Sequence, residues 1–506
     1  MARLRVAALN EGRGAYMSWG LIGIFVSLAL LIGLAYRGHS VIAVAPIAAA
    51  VSMLFAGVPV LAGYTQIFMP ALGGFIISYF PMFLTGAIFG KLMTISGFAE
   101  SIASWIARVV GARHAIFITA LLSALITYGG INAWVVVFTV FPIAKSLFQQ
   151  ADIPKRLIPA AIAAGFLTFA LGTLPGSPQI HNTLPTSYFG TTTFSAPFLG
   201  LITGTVMFAL SIGYLRWREK RIRAAGERFG DLTVMERRGT APYTMDASGD
   251  DSAVQSSPGA GGTATAVEPR RTTLPEFLAA LFPLVAVVGA NAVFTFFVIP
   301  AWNTDYLSED LYGNVTVADV IGVWSVTAAM LVAILSVFAL RPSKARELVD
   351  ELSEGAKNSV LPVFNTATEV GYGAVITSLA AFTVIRDGLF GMGGNAVLTS
   401  SASTAVISGV TGSASGGLAI TLETFGDQFA QMAAAQGIDG GIIHRAVATA
   451  STSFDSLPHN GAVITLLLVT GLTHRESYRD IGVITIGTPI IGVALIAGLG
   501  FLFGAF

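Results

Sequence analysis

The chain has 506 residues, 54% hydrophobic and 11% charged, where a soluble domain carries about 25% charged residues, so a soluble globular fold is excluded. Its 28 basic and 28 acidic residues cancel to a formal +0, which leaves no basic footprint for nucleic acid. Cys is absent, which excludes disulfides, thiolate metal sites and cysteine nucleophiles.

Runs without Asp, Glu, Lys or Arg cover 14–36, 38–90, 114–144, 157–215, 277–304, 320–340, 388–422, 456–474 and 481–506. At about 20 apolar residues per crossing these make an all-α polytopic membrane protein of about 11 transmembrane elements. The first run follows Arg3, Arg5 and Arg13 and lacks a small-residue cleavage site, so it reads as a retained helix with a cytoplasmic N-terminus. With that N-terminus inside, the first half crosses an even number of times.

The clear break is 216–271. It opens on Arg216, Arg218, Lys220, Arg221, Arg223 and Arg228, then dissolves into a Ser/Gly/Asp-rich stretch at 246–262. The division that follows is a membrane half at 1–216, a cytoplasmic and largely flexible linker at 217–272, and a second membrane half at 273–506.

The halves share a weak repeat. A Gly-interrupted hairpin, a helix and a Leu-Pro element recur: Gly129-Gly130-Ile131-Asn132 and Leu174-Pro175-Gly176-Ser177-Pro178-Gln179-Ile180-His181-Asn182 in the first half, Gly412-Ser413-Ala414-Ser415-Gly416-Gly417 and Leu457-Pro458-His459-Asn460 in the second. Pro175 and Pro458 differ by 458 − 175 = 283. Interrupted backbone at membrane depth is tolerated only where protein or water satisfies it, so paired interruptions mark a cavity whose half-helix ends and carbonyls can hold ions. The alternative is that the Gly tracts are only packing seams. On the cavity reading, Gly130, Asn132, Ser177, His181, Asn182, Ser413, Ser415, Gly416, His459 and Asn460 are the candidate substrate-binding residues.

Two acids stand in apolar surroundings. Glu369 lies in Asn365-Thr366-Ala367-Thr368-Glu369-Val370-Gly371, and Asp455 precedes the Pro458 break. A carboxyl withdrawn from water favours its neutral form, so both are candidates for proton coupling. An ion pair for Glu369 and a helix cap for Asp455 are the competing readings. Glu423 and Asp427 read as interfacial, and Arg156, Arg386 and Arg445 as flanking residues at headgroup level. No His, Cys and carboxylate spacing suits a metal, and no catalytic motif suggests an enzyme.

The stretch 411–417, followed by Ser453-Phe454-Asp455-Ser456-Leu457-Pro458-His459-Asn460-Gly461 and Gly471-Leu472-Thr473-His474-Arg475-Glu476, resembles the gluconate permease family of proton symporters, above all its D-beta-hydroxybutyrate permease branch. Residues 174–185 and 365–373 are similar to that family as well. The resemblance implies secondary import of a small hydroxylated monocarboxylate with protons, through the inner (plasma) membrane. It also implies the architecture of the wider ion transporter superfamily: two inverted repeats with re-entrant hairpins, in a homodimer. The moving domain would then comprise the hairpins at 117–147 and 396–432 with the two Pro breaks. Sodium-coupled members of that superfamily carry Ser-Asn-Thr at the hairpin tips. The tips here depart from it, which makes H+ the expected coupling ion and Na+ the alternative, with no cofactor or metal. The expected partners are a small organic anion and the lipid bilayer. An anion channel and an intramembrane enzyme are the other readings.

Overall fold

The computed structural model describes residues 18–31, 33, 34, 40–131, 133–231, 233, 237, 272–391, 394–458 and 460–506, and among these every regular element is helical. Among the described residues six helices are long and apolar enough to cross a bilayer: Val60–Ile95, Lys155–Gly172, Pro197–Ala224, Leu274–Ala301, Val317–Leu340 and His474–Phe503. Ser18–Leu31 and Val41–Phe55 are shorter apolar helices beside them. Apolar side chains such as Phe282, Val285 and Leu335 are exposed on the spans, the arrangement that lipid rather than water rewards. Thr273 with Glu276 and Thr473 with Glu476 form capping boxes that start two of the spans.

The duplication is visible in element order. In the first half a hairpin of Ala115–Tyr128 and Ala133–Gln150 precedes Ile158–Phe166, an irregular stretch, Ile180–Thr183 with Pro185–Phe189, and Pro197–Ala224. In the second half Ala396–Thr411 and Ala414–Ala435 precede Gly440–Ala450, an irregular stretch, Gly461–Thr470 and His474–Phe503. We call the hairpins hairpin 1 and hairpin 2, and the stretches at 173–179 and 451–460 break 1 and break 2. The same offset extends upstream, where Thr85-Gly86-Ala87-Ile88-Phe89-Gly90 matches Thr368-Glu369-Val370-Gly371-Tyr372-Gly373, since 368 − 85 = 283.

Side-chain contacts divide the molecule into two faces. On one, Lys91 pairs with Glu351 at 3.1 Å, Lys344 donates to Ile95 O at 2.9 Å, Arg156 reaches Glu227 and Glu476 O, Arg228 pairs with Asp152, and Arg108 donates to Thr272 O. Both ends of hairpin 1 lie here. On the opposite face the backbone of Phe198 and Leu199 donates to Phe506 O, and Ala396 N donates to Gln436 Oε1 across the base of hairpin 2. The hairpins therefore enter from opposite faces, as inverted repeats require.

Among the described residues each half makes five crossings when the shorter apolar helices Ser18–Leu31 and Val41–Phe55 are included and each broken helix counts as one. Hairpin ends return to their own face, so they add none. Five is odd, which corrects the even number expected for the first half. Trp19 packs against Phe55 at 6.4 Å, and a Cβ at Gly20 would abut Ala381, so Ser18 lies on the face opposite the basic one. The last helix of the first half continues past the expected boundary at 216, carrying its basic residues to Ala224. Most of the expected linker, 238–271, and residues 1–17 lie outside the described residues.

Candidate substrate and coupling site

Each hairpin tip is fastened to the break of its own half. In hairpin 1, Tyr128 Oη donates to Pro175 O at 2.6 Å. Gln179, the N-cap of the helix after break 1, donates its amide to Thr127 O at 2.7 Å. In hairpin 2, Gly412 (φ 66) ends the first arm and Ser413 caps the second, accepting from Gly416 N at 3.1 Å. Asn460, the N-cap after break 2, donates to Gly412 O at 2.8 Å. Each half thus fastens its hairpin tip with a side-chain amide from the N-cap of the helix after its break, although the two are not offset-matched: Gln179 corresponds to Ala462 and Asn460 to Ser177. Break 1 meets the helix that leads into break 2 where the hydroxyls of Thr173 and Thr449 hydrogen-bond at 3.0 Å.

Around break 1 the polar groups are nearly all engaged. Asn182 donates to Ser177 O and Thr193 O and accepts from Arg445 Nη1 and His444 Nε2. All four of its hydrogen-bonding positions are used, so it holds the break in shape and has none left for a substrate hydroxyl, which corrects that expectation. Ser177 is buried and bonds only locally, to Ala170 O and Gln179 N. Gly130 (φ +88) is packed: a Cβ there would overlap Met330 and meet Pro178. His181 is buried beside Gly172, and its Nδ1 has no partner among the described residues. Asn132 and His459 lie outside the described residues.

Arg445 is the residue least like its sequence expectation. It is fully buried, not at headgroup level, and donates to Ser195 O, Gly172 O, Leu174 O, Thr193 O and Asn182 Oδ1. Burial of a guanidinium is tolerated because its donors are matched by carbonyl-type oxygens. Arg156 does lie at the basic face, and the side chain of Arg386 is outside the described set.

Glu369 is buried in the helix Val360–Ser378 and faces the tip of hairpin 2. A Cβ at Gly416 would overlap its Oε2, which has no hydrogen-bond partner among the described residues. One turn earlier Thr366 shares a hydrogen bond of 3.3 Å with Ser415. The repeat-related helix meets the other tip at the matching position, with Gly86 lying against Gly130 O. One copy therefore carries a glycine, the other an acid. Asp455 is buried in break 2 with Oδ1 unpartnered among the described residues. It does not cap a helix: the cap there is Asn460, so the competing reading of Asp455 fails.

A cavity of about 1090 Å³ leads toward this region from the face opposite the basic one. Its rim carries Trp302 and Asp319, its wall Tyr79, Tyr188 and Glu423, and its floor Leu184, Val370 and Ala419. Tyr188 Oη donates to Glu423 at 2.9 Å, so Glu423 faces this cavity and not simply the interface. Val370 neighbours Glu369 in sequence, and Ala419 is one helical turn from Ser415. Sequence reasoning missed this cavity because its walls come from helices far apart in the chain. It also missed Arg445 and Gln179; for Arg445 the available signal was its match, at offset 283, to the apolar Ile162.

The chain is 40% identical over 485 residues to the uncharacterized transporter YxjC of Bacillus subtilis (strain 168), covering 94% of this chain and 98% of that one. Its fold is similar to the YdaH transporter of Alcanivorax borkumensis, with a TM-score of 0.51 at 16% identity over 86% of this chain and 88% of that one. MtrF of Neisseria gonorrhoeae, described with a class of antimetabolite efflux pumps, aligns over 96% and 94% of the two chains at 12% identity, but its TM-score of 0.49 adds nothing to the fold assignment. No family model matches the chain.

Proposed function

The chain belongs to the transporter family that includes YxjC, and from that premise we propose that it imports a small hydroxylated monocarboxylate, of the 3-hydroxybutyrate or gluconate kind, together with protons. The observation that carries this reading is the cavity whose floor adjoins Glu369 and the tip of hairpin 2. Ser413 and Ser415 supply hydroxyls there for a hydroxy acid, and His181 offers an unused ring nitrogen. Glu369 and Asp455 load the coupling protons. The two hairpins and two breaks form the domain that moves in alternating access, within a homodimer.

The distribution of Lys and Arg supports a cytoplasmic basic face, and on this reading the protein sits in the plasma membrane with the cavity open to the outside. In that orientation Ser18 lies outside and the 217–272 segment inside. The chain has no Cys, so Ser78→Cys in the cavity wall provides a unique thiol. It is expected to react with a membrane-impermeant maleimide added to intact cells, and more slowly when substrate is present. Labelling only after the cells are opened would reverse the orientation.

The function itself is tested by uptake in proteoliposomes with a panel of short hydroxy acids as competitors, with and without an imposed pH gradient. Saturable uptake, counterflow and stimulation by inward protons are the expected results. Fluxes that neither saturate nor exchange would indicate an anion channel instead.

A further inference from the structure

The helix Pro197–Ala224 ends on the basic face in a run of cations, and the structure sorts them by the side they take. Arg218 pairs with the buried Asp480 at 2.8 Å, and Arg221 lies over the ring of Trp217 at 5.5 Å. Arg216, Glu219, Lys220 and Arg223 recur at the three- and four-residue spacing of one helical face. That face lines a cavity of about 480 Å³ whose other wall is Arg113 and His114. These two stand on the short turn Ala112–His114, where the chain bends by 107° between Phe98–Val110 and the first arm of hairpin 1.

Within the cavity the acid, Glu219, is taken by Arg223 at 3.1 Å. Arg113, Arg216 and Lys220 are exposed and have no acidic partner among the described residues. With His114 left aside, four cations and one acid give the cavity a net +3. Elsewhere on this face Lys91, Arg156 and Arg228 each have a carboxylate. Like charges gathered in one concave wall repel one another and draw an anion to it.

A second observation lies beneath the charges. Thr205, Ala209 and Gly213, four residues apart and exposed, continue the face of Arg216 and Lys220 along the span. A Cβ at Gly213 would meet nothing within 4 Å. Opposite them, Phe117 and Leu121 are half-buried on hairpin 1, one and two turns beyond Arg113. Phe117 packs against Phe208 at 5.7 Å, which holds the two helices side by side. Small side chains on one wall and large apolar ones on the other leave a furrow below the cavity. A soluble anion has no use for that furrow; an acyl chain does. Trp217 is 51% exposed beside the cavity, as befits the level of the headgroups.

We propose that this pocket binds an anionic phospholipid, its phosphate held by Arg113, Arg216 and Lys220 and an acyl chain lying along Thr205, Ala209 and Gly213. The lipid would join the entry of hairpin 1 to the helix Pro197–Ala224. The pocket shares no residue with the substrate and coupling site, so the proposed function can fail without it, and the reverse.

The test titrates full-length protein in mixed micelles with fluorescent cardiolipin, using phosphatidylcholine as the zwitterionic counterpart and inorganic phosphate as competitor. Saturable binding of cardiolipin is expected, with none of phosphatidylcholine and no displacement by inorganic phosphate at equal phosphate concentration. Arg216→Gln/Lys220→Gln should weaken binding about thirtyfold and Arg113→Gln about fivefold, the size expected for cations at a membrane surface. Lys145→Gln/Arg221→Gln removes two exposed cations outside the pocket and should bind like wild type. An equal loss in that control, or unchanged binding in the pocket variants, overturns the proposal. So does displacement by inorganic phosphate, which would make the pocket a site for soluble anions. If Arg216→Gln/Lys220→Gln does not fold, Arg113→Gln, from the other wall, decides.

Discussion

Glu369→Gln is expected to lower substrate accumulation by about tenfold for each unit of pH gradient, because one proton moved down one pH unit contributes about 1.4 kcal/mol. Glutamine keeps the shape of the side chain against Gly416 and can still hydrogen-bond, but it cannot take up or release a proton. The helix Val360–Ser378 and the tip of hairpin 2 would stay in register through Thr366 and Ser415. Exchange of internal for external substrate should therefore persist while uphill uptake fails. The measurement is steady-state accumulation against counterflow in the same proteoliposomes. Equal accumulation by variant and wild type would remove Glu369 from the coupling mechanism.

The second large effect concerns the hairpin itself. A Cβ at Gly417 would overlap the Cα of Ser408 in the opposing arm, backbone that no rotamer change can move aside. Gly417→Ala must therefore push the arms of hairpin 2 apart. Overpacking of this kind costs about 1–3 kcal/mol, and the displaced tip would carry Ser413 and Gly416 away from Glu369. We expect both a lower unfolding temperature and loss of uptake in the purified variant. Gly213, whose Cβ would meet nothing within 4 Å, is the control, and Gly213→Ala should leave both unchanged. A Gly417→Ala protein as stable and active as wild type would mean that the arms are not closely packed.

The membrane class was legible because composition integrates over the whole chain, and a hydrophobic solvent leaves its mark on every span. The repeat was legible for a related reason: duplication preserves spacing, so Pro175 and Pro458 kept the offset that Thr85 and Thr368 also show. Glu369 and Asp455 could be singled out as acids without an excuse for being in apolar sequence. Their neighbours could not. Asn182 looked like a ligand-binding residue and proved to be saturated by Arg445, His444 and two carbonyls. Crossing parity was misread because a re-entrant hairpin and a crossing pair have similar apolar length.

What the amino-acid sequence determined by itself was the solvent, the duplication and the short inventory of groups able to carry charge through lipid. Only the tertiary structure decided which of those groups remain unpaired, because hydrogen-bond partners such as Arg445 and Asn182 come from opposite halves of the chain. Linear spacing cannot encode that meeting. It arises when two inverted copies fold around each other and the differences between them, Gly86 against Glu369 and Gly172 against Asp455, come to stand in matching places.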